Sequence, residues 1–247
     1  MLDSIGTIVL TTVVIFNINA FTNAIAVSAA ARLAIVIVAG AWAGLATAVA
    51  AGGVFANTSL PFPWIGAFVA LPLLVVGAAA LLFSAVRAAL LRVPLRTLVG
   101  LNIARALGIF FVLLAWSGRL GGPFPQSAGW GDVITGLLAV PVMGWAARQN
   151  ASRDRAIWLW NAFGTLDLLA AIALGVTSVN GSPLQLIHAG AGSAAVLTLP
   201  WSLIPSVLVP FYLITHCIIF ARLRVRSARA ADAADQTAHN AWALNQR

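Results

Sequence analysis

Long apolar runs recur along this chain with few interruptions, and nothing constrains its fold more. Crossing a hydrocarbon core of about 30 Å takes about 20 apolar residues in a helix. Seven runs meet or approach that length: 5–29, 33–54, 64–86, 98–117, 130–147, 157–178 and 199–221. Backbone N–H and C=O groups in lipid must find their partners inside the protein, which favours helices. The expected fold is all-α: a polytopic bundle of seven transmembrane helices over residues 1–222, followed by a tail, 223–247.

Composition supports this reading. Only 8% of residues are charged and 61% are hydrophobic, with a mean hydropathy of +0.98. A soluble domain carries about 25% charged residues. All 14 basic residues are Arg and all 6 acidic residues are Asp. Without Lys there is no Schiff-base anchor, so a retinal protein is excluded. The high pI does not imply nucleic acid, because the Arg residues gather at helix ends in the pattern that membrane orientation produces. The single Cys217 excludes an intrachain disulfide and a Cys-based metal cluster. The N-terminus lacks the basic region of a signal peptide.

Arg placement sets an orientation. Arg32, then Arg87, Arg92 and Arg96, then Arg148, Arg153 and Arg155, then Arg222, Arg224, Arg226 and Arg229 fall on one side. Arg119 falls on the other. The positive-inside rule then puts the N-terminus outside and the C-terminus in the cytoplasm of a multi-pass inner membrane protein. Trp64, Trp116, Trp130 and Trp201 sit at the expected outer ends, and Trp145, Trp158 and Trp160 at the inner ends, as an interfacial belt.

Segments 61–92 and 199–224 share features in order. Each has Pro-Trp at the outer edge (Pro63-Trp64 and Pro200-Trp201) and a later Pro (Pro72 and Pro210), and each ends with Phe and Arg. With helices one to three and five to seven in the same orientation, the layout is a candidate 3+1+3 parallel repeat. In layout alone this resembles the SWEET-type sugar transporters, a family with parallel repeats. Pro125-Gln126 is read as part of an outer loop over 119–129, not as a PQ-loop motif. Segment 180–198 is a longer outer connection.

The polar residues inside the runs carry the functional reading. Ionisable groups at a span's centre cost about 2.5–3.5 kcal/mol each on insertion scales, and they mark partners or watery pathways. The candidates are Asn19 and Asn23 on helix one, Asn102 and Arg105 on helix four, Asn161 and Asp167 on helix six, and Tyr212 and His216 on helix seven. At 1.5 Å per residue, Arg105, Asp167 and His216 lie roughly 10, 15 and 8 Å from their cytoplasmic ends, close enough to share one layer. Gly164, Asp167, Ala171 and Gly175 fall on one helical face, so Asp167 should point into the bundle beside Arg105. That pair is either a structural lock between helices four and six or, with His216, a proton relay or polar-substrate site. Arg119, Asp132 and His188, with Gln126 and Gln185, are expected to form an outer vestibule, where Asp132 would cap helix five.

Enzyme signatures are missing. There is no H-E-x-x-H and no P-loop. Ser193 and His216 fall on opposite sides, too far apart for a serine dyad. His188 and His216 are too far apart for bis-His haem, and Asp132 with His188 offers too few ligands for a metal. No catalytic residue, cofactor or metal is therefore expected, and the balance is against an enzyme. The leading expectation is a small-solute transporter or proton-coupled carrier with a buried Arg-Asp-His cluster. Arg105 would orient an anionic group, Asp167 would balance it or carry a proton, and His216 would relay protons inward. The alternative is a non-catalytic membrane subunit or assembly factor in which the polar pair is structural. Expected partners are the lipid bilayer, a small polar or anionic solute and other membrane subunits, and not nucleic acid.

Overall fold

The computed structural model describes residues 1–60, 63–147 and 150–245. Pro61 and Phe62 of the compared repeat segment, and Arg148 of the orientation pattern, lie outside them. Among the described residues there is no strand. The helices are α1 (Leu2–Ala24), α2 (Ala29–Ala51), α3 (Trp64–Leu82), α4 (Ser84–Arg92), α5 (Leu95–Leu101), α6 (Ile109–Trp116), α7 (Phe124–Ala146), α8 (Ala151–Thr177) and α9 (Val209–Asn245). A 3₁₀ stretch, Asn102–Gly108, joins α5 to α6, so these three form one broken pass. A π-helical turn, Ile204–Leu208, leads into α9.

Among the described residues, six segments are long and apolar enough to cross a membrane: α1, α2, α3, the α5–α6 pass, most of α8, and Ile204–Asp232. The remaining long helix, α7, has 23 residues but is not among those six. Gly, Pro, Gln and Asp dilute its apolar content.

Several boundaries differ from expectation for local reasons. The break between α1 and α2 falls at 25–28, where Ser28 accepts a hydrogen bond from Ala31 N at 3.2 Å and caps α2. Helix α7 starts at Phe124, so residues 124–129 are helical rather than loop, and Pro125-Gln126 occupies its first turn. Pro is tolerated there because the first N–H groups of a helix need no intrahelical partner. Asn150 caps α8 through Ser152 N at 2.9 Å. The two segments compared as a repeat start differently. Residues from Trp64 form a regular helix, whereas 199–208 forms turns and a π-helix. The repeat gains no support from this.

Pro210 explains one long-range contact. It has no N–H, so the carbonyl of Ser206, four residues earlier, loses its intrahelical partner. Trp42 of α2 supplies one, with Nε1 donating to Ser206 O at 3.0 Å.

Among the described residues, two buried clusters form the core. The larger lies toward the end holding the N-terminus, with Leu10, Phe68, Phe111, Phe124, Leu168 and Trp201 among its members. The smaller, around Leu98, Val99, Val142, Ile157 and Ile219, lies toward the opposite end. Between them sits the polar layer.

A buried guanidinium held by two carboxylates

Arg105 lies in the 3₁₀ stretch of the broken pass, and its side chain has 0% exposure. A mid-span 3₁₀ segment marks a strained or functional turn. The guanidinium is held from three helices. Its Nε donates to Asp132 Oδ1 of α7 at 2.7 Å, and its Nη2 donates to Asp167 Oδ2 of α8 at 2.6 Å. Its Nη1 donates to Gly164 O at 3.0 Å and to His216 Nε2 of α9 at 2.9 Å. These bonds use four of the five guanidinium N–H groups, and the two to carboxylate are charge-assisted.

His216 is fully buried. Since Arg105 can only donate, His216 Nε2 must accept, and Nδ1 carries the ring proton. Asn161 Oδ1 receives that proton's hydrogen bond at 2.7 Å, and Asn161 Nδ2 donates to the backbone carbonyl of His216 at 3.1 Å. The imidazole is therefore neutral in this arrangement. Trp160 covers its ring at 5.7 Å and donates from Nε1 to Thr135 O at 3.1 Å. One guanidinium thus faces two carboxyl groups.

Glycines make the site possible. At Gly131 an added Cβ would overlap the Asp167 carboxylate. At Gly164 it would lie 2.8 Å from His216 Cε1 and 2.9 Å from Arg105 Nη1. At Gly108 it would overlap Asp132 Cβ, and at Gly136 it would overlap the backbone of Ala106. Close helix approach through small residues lets short aspartate side chains reach the guanidinium.

The other expected residues divide into two groups. Asn102 is buried, donating to Leu98 O at 2.9 Å and Thr215 Oγ1 at 3.3 Å. Tyr212 is buried, and its hydroxyl accepts from Asn17 Nδ2 at 3.0 Å. Asn19 and Asn23 instead face out of the bundle, and Asn19 bonds back to Ile15 O at 2.8 Å. On α1 it is Asn17 and Thr22 that are buried. A helical repeat of 3.6 residues cannot turn all four inward.

The vestibule does not form as expected. Asp132 lies within α7 and is buried on Arg105, neither capping a helix nor joining Arg119. Arg119 instead pairs with Asp3 at 2.6 Å, and Asp3 Oδ1 also accepts from Trp201 Nε1 at 2.7 Å. Gln126 accepts from Trp130 at 3.2 Å, Gln185 closes a turn onto Gly181 N at 2.9 Å, and His188 is exposed. Trp201 and Trp160 are buried rather than interfacial, while Trp64, Trp116, Trp130, Trp145 and Trp158 are exposed. The sequence did hold a signal for Asp132. Gly129, Gly131 and Gly136 surround it, but beside Pro123 and Pro125 those glycines read as a turn.

A cavity of about 70 Å³ lies on the side of Asp132 nearer the N-terminal end. Its walls include Val69, Phe111, Phe124, Leu168, Ile204 and Val209, and among the described residues Asp132 is the one charged residue lining it. No group of three or more His, Cys, Asp or Glu side chains among the described residues is placed to hold a metal.

Fold and site together describe an all-helical protein with helices apolar enough to span a membrane several times and a buried ionic cluster between them. Residues 62–224 match the model of the DUF8737 family, a domain of unknown function, and the chain belongs to that family. The matched region includes every member of the cluster. No curated protein and no solved structure matches the chain.

Proposed function

We propose that this protein is a seven-span carrier of the cytoplasmic membrane, N-terminus outside, that couples movement of a small solute to protons through the Arg105 cluster. The observation that carries the reading is the charge count: one guanidinium faces two carboxylates inside the bundle. An uncompensated charge at that depth is costly. The cluster therefore favours one further positive charge, a proton or a cation from the solute. Exchange between those two is what a coupled carrier requires. Asp132 and Asp167 would hold the exchangeable charge, Arg105 would keep both carboxylates in place, and His216 and Asn161 would fix the guanidinium from the other side. An anion would have to displace a carboxylate to reach Arg105, whose side chain is fully enclosed. Asp132 is the charged group that a solute in the cavity would meet.

The test is proton flux in liposomes holding the purified protein and a trapped pH-sensitive dye. Under a solute gradient the wild type should move protons. Asp167→Asn should fold, judged by size-exclusion profile, and lose the flux. Flux unchanged in Asp167→Asn would overturn the reading.

A second reading has its own observation. Four of the five Arg105 N–H groups are already bonded within the protein, as a static lock between helices would demand. In a non-catalytic subunit or assembly factor, native mass spectrometry from the host membrane would find a partner chain at fixed stoichiometry. Asp167→Asn would then lower stability and leave no flux to lose.

A further inference from the structure

The cavity beside Asp132 differs from the rest of the buried surface in combining apolar walls with a carboxyl group that shares one guanidinium with a second carboxyl group. We infer that it is a binding site for a small lipophilic amine in its ammonium form, with the cationic nitrogen on Asp132 and the hydrocarbon portion along Val69, Leu168 and Ile204. This deepens the carrier reading by naming a substrate class, and it rests on that reading for its role in transport, though not for binding itself.

Three features converge on this occupant. First, charge complementarity selects the sign. Arg105 is shared between Asp132 and Asp167, so with both carboxyl groups ionised an ammonium at Asp132 brings the cluster to neutrality, whereas an anion would meet a carboxylate. Second, the remaining walls are apolar and select a hydrocarbon body. A cavity of about 70 Å³ is roughly half the size of one that holds benzene, so the enclosed part of the ligand is a head group and a short chain. Third, the half-buried lining residues Gly66 of α3 and Ala171 and Gly175 of α8 are small. An added Cβ at Gly66 would meet nothing within 4 Å. On this assignment the cavity continues past Gly66, between α3 and α8, toward the apolar outside of the bundle, which in a membrane is the lipid side. A longer chain can extend through that opening. A proton and an ammonium would then compete for the same carboxylate.

The experiment measures saturable binding of tritiated n-hexylamine to the full chain in nanodiscs, with empty nanodiscs subtracted and 1-hexanol and hexanoate as neutral and anionic counterparts. Hexylamine should bind saturably, and the other two should not. Asp132→Asn should weaken binding about ten-fold or more, the value of a hydrogen bond to a charged group. Gly66→Leu fills the opening without touching Asp132 and should weaken binding to a similar extent. If Asp132→Asn fails to fold, Gly66→Leu decides alone. Equal binding of hexanol, absence of a saturable component, or wild-type affinity in Gly66→Leu would overturn the assignment. The proton-flux assay separates the two proposals. Binding without amine-driven flux leaves the site standing and removes the carrier, while flux with another solute and no hexylamine binding does the reverse.

Discussion

The α2–α3 side of the molecule and the region around the α5–α6 pass and α9 are built on opposite rules. In α3 the mean hydropathy reaches 2.5, yet only 17% of its apolar window is buried. In α2 the values are 2.2 and 11%. The segment Ile204–Asp232 is less apolar, at 1.9, but 67% buried, and Leu95–Trp116, at 2.1, is 56% buried. In a water-soluble domain the most apolar helices go inside. Here the polar groups are inside, because only protein can satisfy them once lipid replaces water. Leu33, Ile37, Val38, Leu74 and Val75 on α2 and α3 are all more than half exposed, as lipid contact requires.

This contrast can be broken by substitution. The largest effect is expected at Arg105→Gln, which leaves two buried carboxylates without their cation. Breaking a buried ion pair from one side costs about 3–5 kcal/mol. Arg105→Gln should therefore abolish the thermal unfolding transition followed by tryptophan fluorescence in detergent, or lower it steeply. A stable Arg105→Gln would mean that the cluster is not what holds the core. Next come Gly164→Ala and Gly131→Ala, where one methyl group meets His216 and Arg105 or the Asp167 carboxylate. Overpacking of this kind costs about 1–3 kcal/mol, read in the same melt. A smaller loss, about 1 kcal/mol for one hydrogen bond, is expected for Trp42→Phe, which strands the Ser206 carbonyl that Pro210 leaves open. The smallest effect belongs to Gly40→Ala and Gly44→Ala on α2. Nothing lies within 4 Å of an added Cβ at either position, so no stability should be lost. If Gly44→Ala is neutral in detergent but lowers stability in the native membrane, the exposed side of α2 is covered by another chain there.

Much of this architecture was legible from residue order. A window of apolar residues reports its own length, so each long helix overlaps an expected run, although α7 and α8 start six residues earlier and the last helix starts later and runs to Asn245. Asp167 could be turned inward because Gly164, Ala171 and Gly175 share its face, and the Arg105–Asp167 contact follows from two buried charges of opposite sign in one layer. Asp132 was misread because Gly and Pro carry two meanings. In water they punctuate chains, but in a membrane helix Gly also marks close packing. The helical rotation of Asn17 against Asn19 was ambiguous for a related reason. Where most neighbours are apolar on every side, periodicity carries little information about which side faces protein.

By itself, then, the sequence determined an all-helical chain with several helices apolar enough to span a membrane, and the presence of charge within them, because each is a property of local composition. Only the tertiary structure decided how that charge is partnered. Arg105 meets Asp132 across 27 residues, Asp167 across 62 and His216 across 111. Those distances along the chain close through helix crossings at Gly108, Gly131, Gly136 and Gly164, whose geometry depends on both partners at once. The second carboxylate, the neutral tautomer of His216 and the cavity that ends on Asp132 all arise from that mutual fit, and no window along the chain contains it.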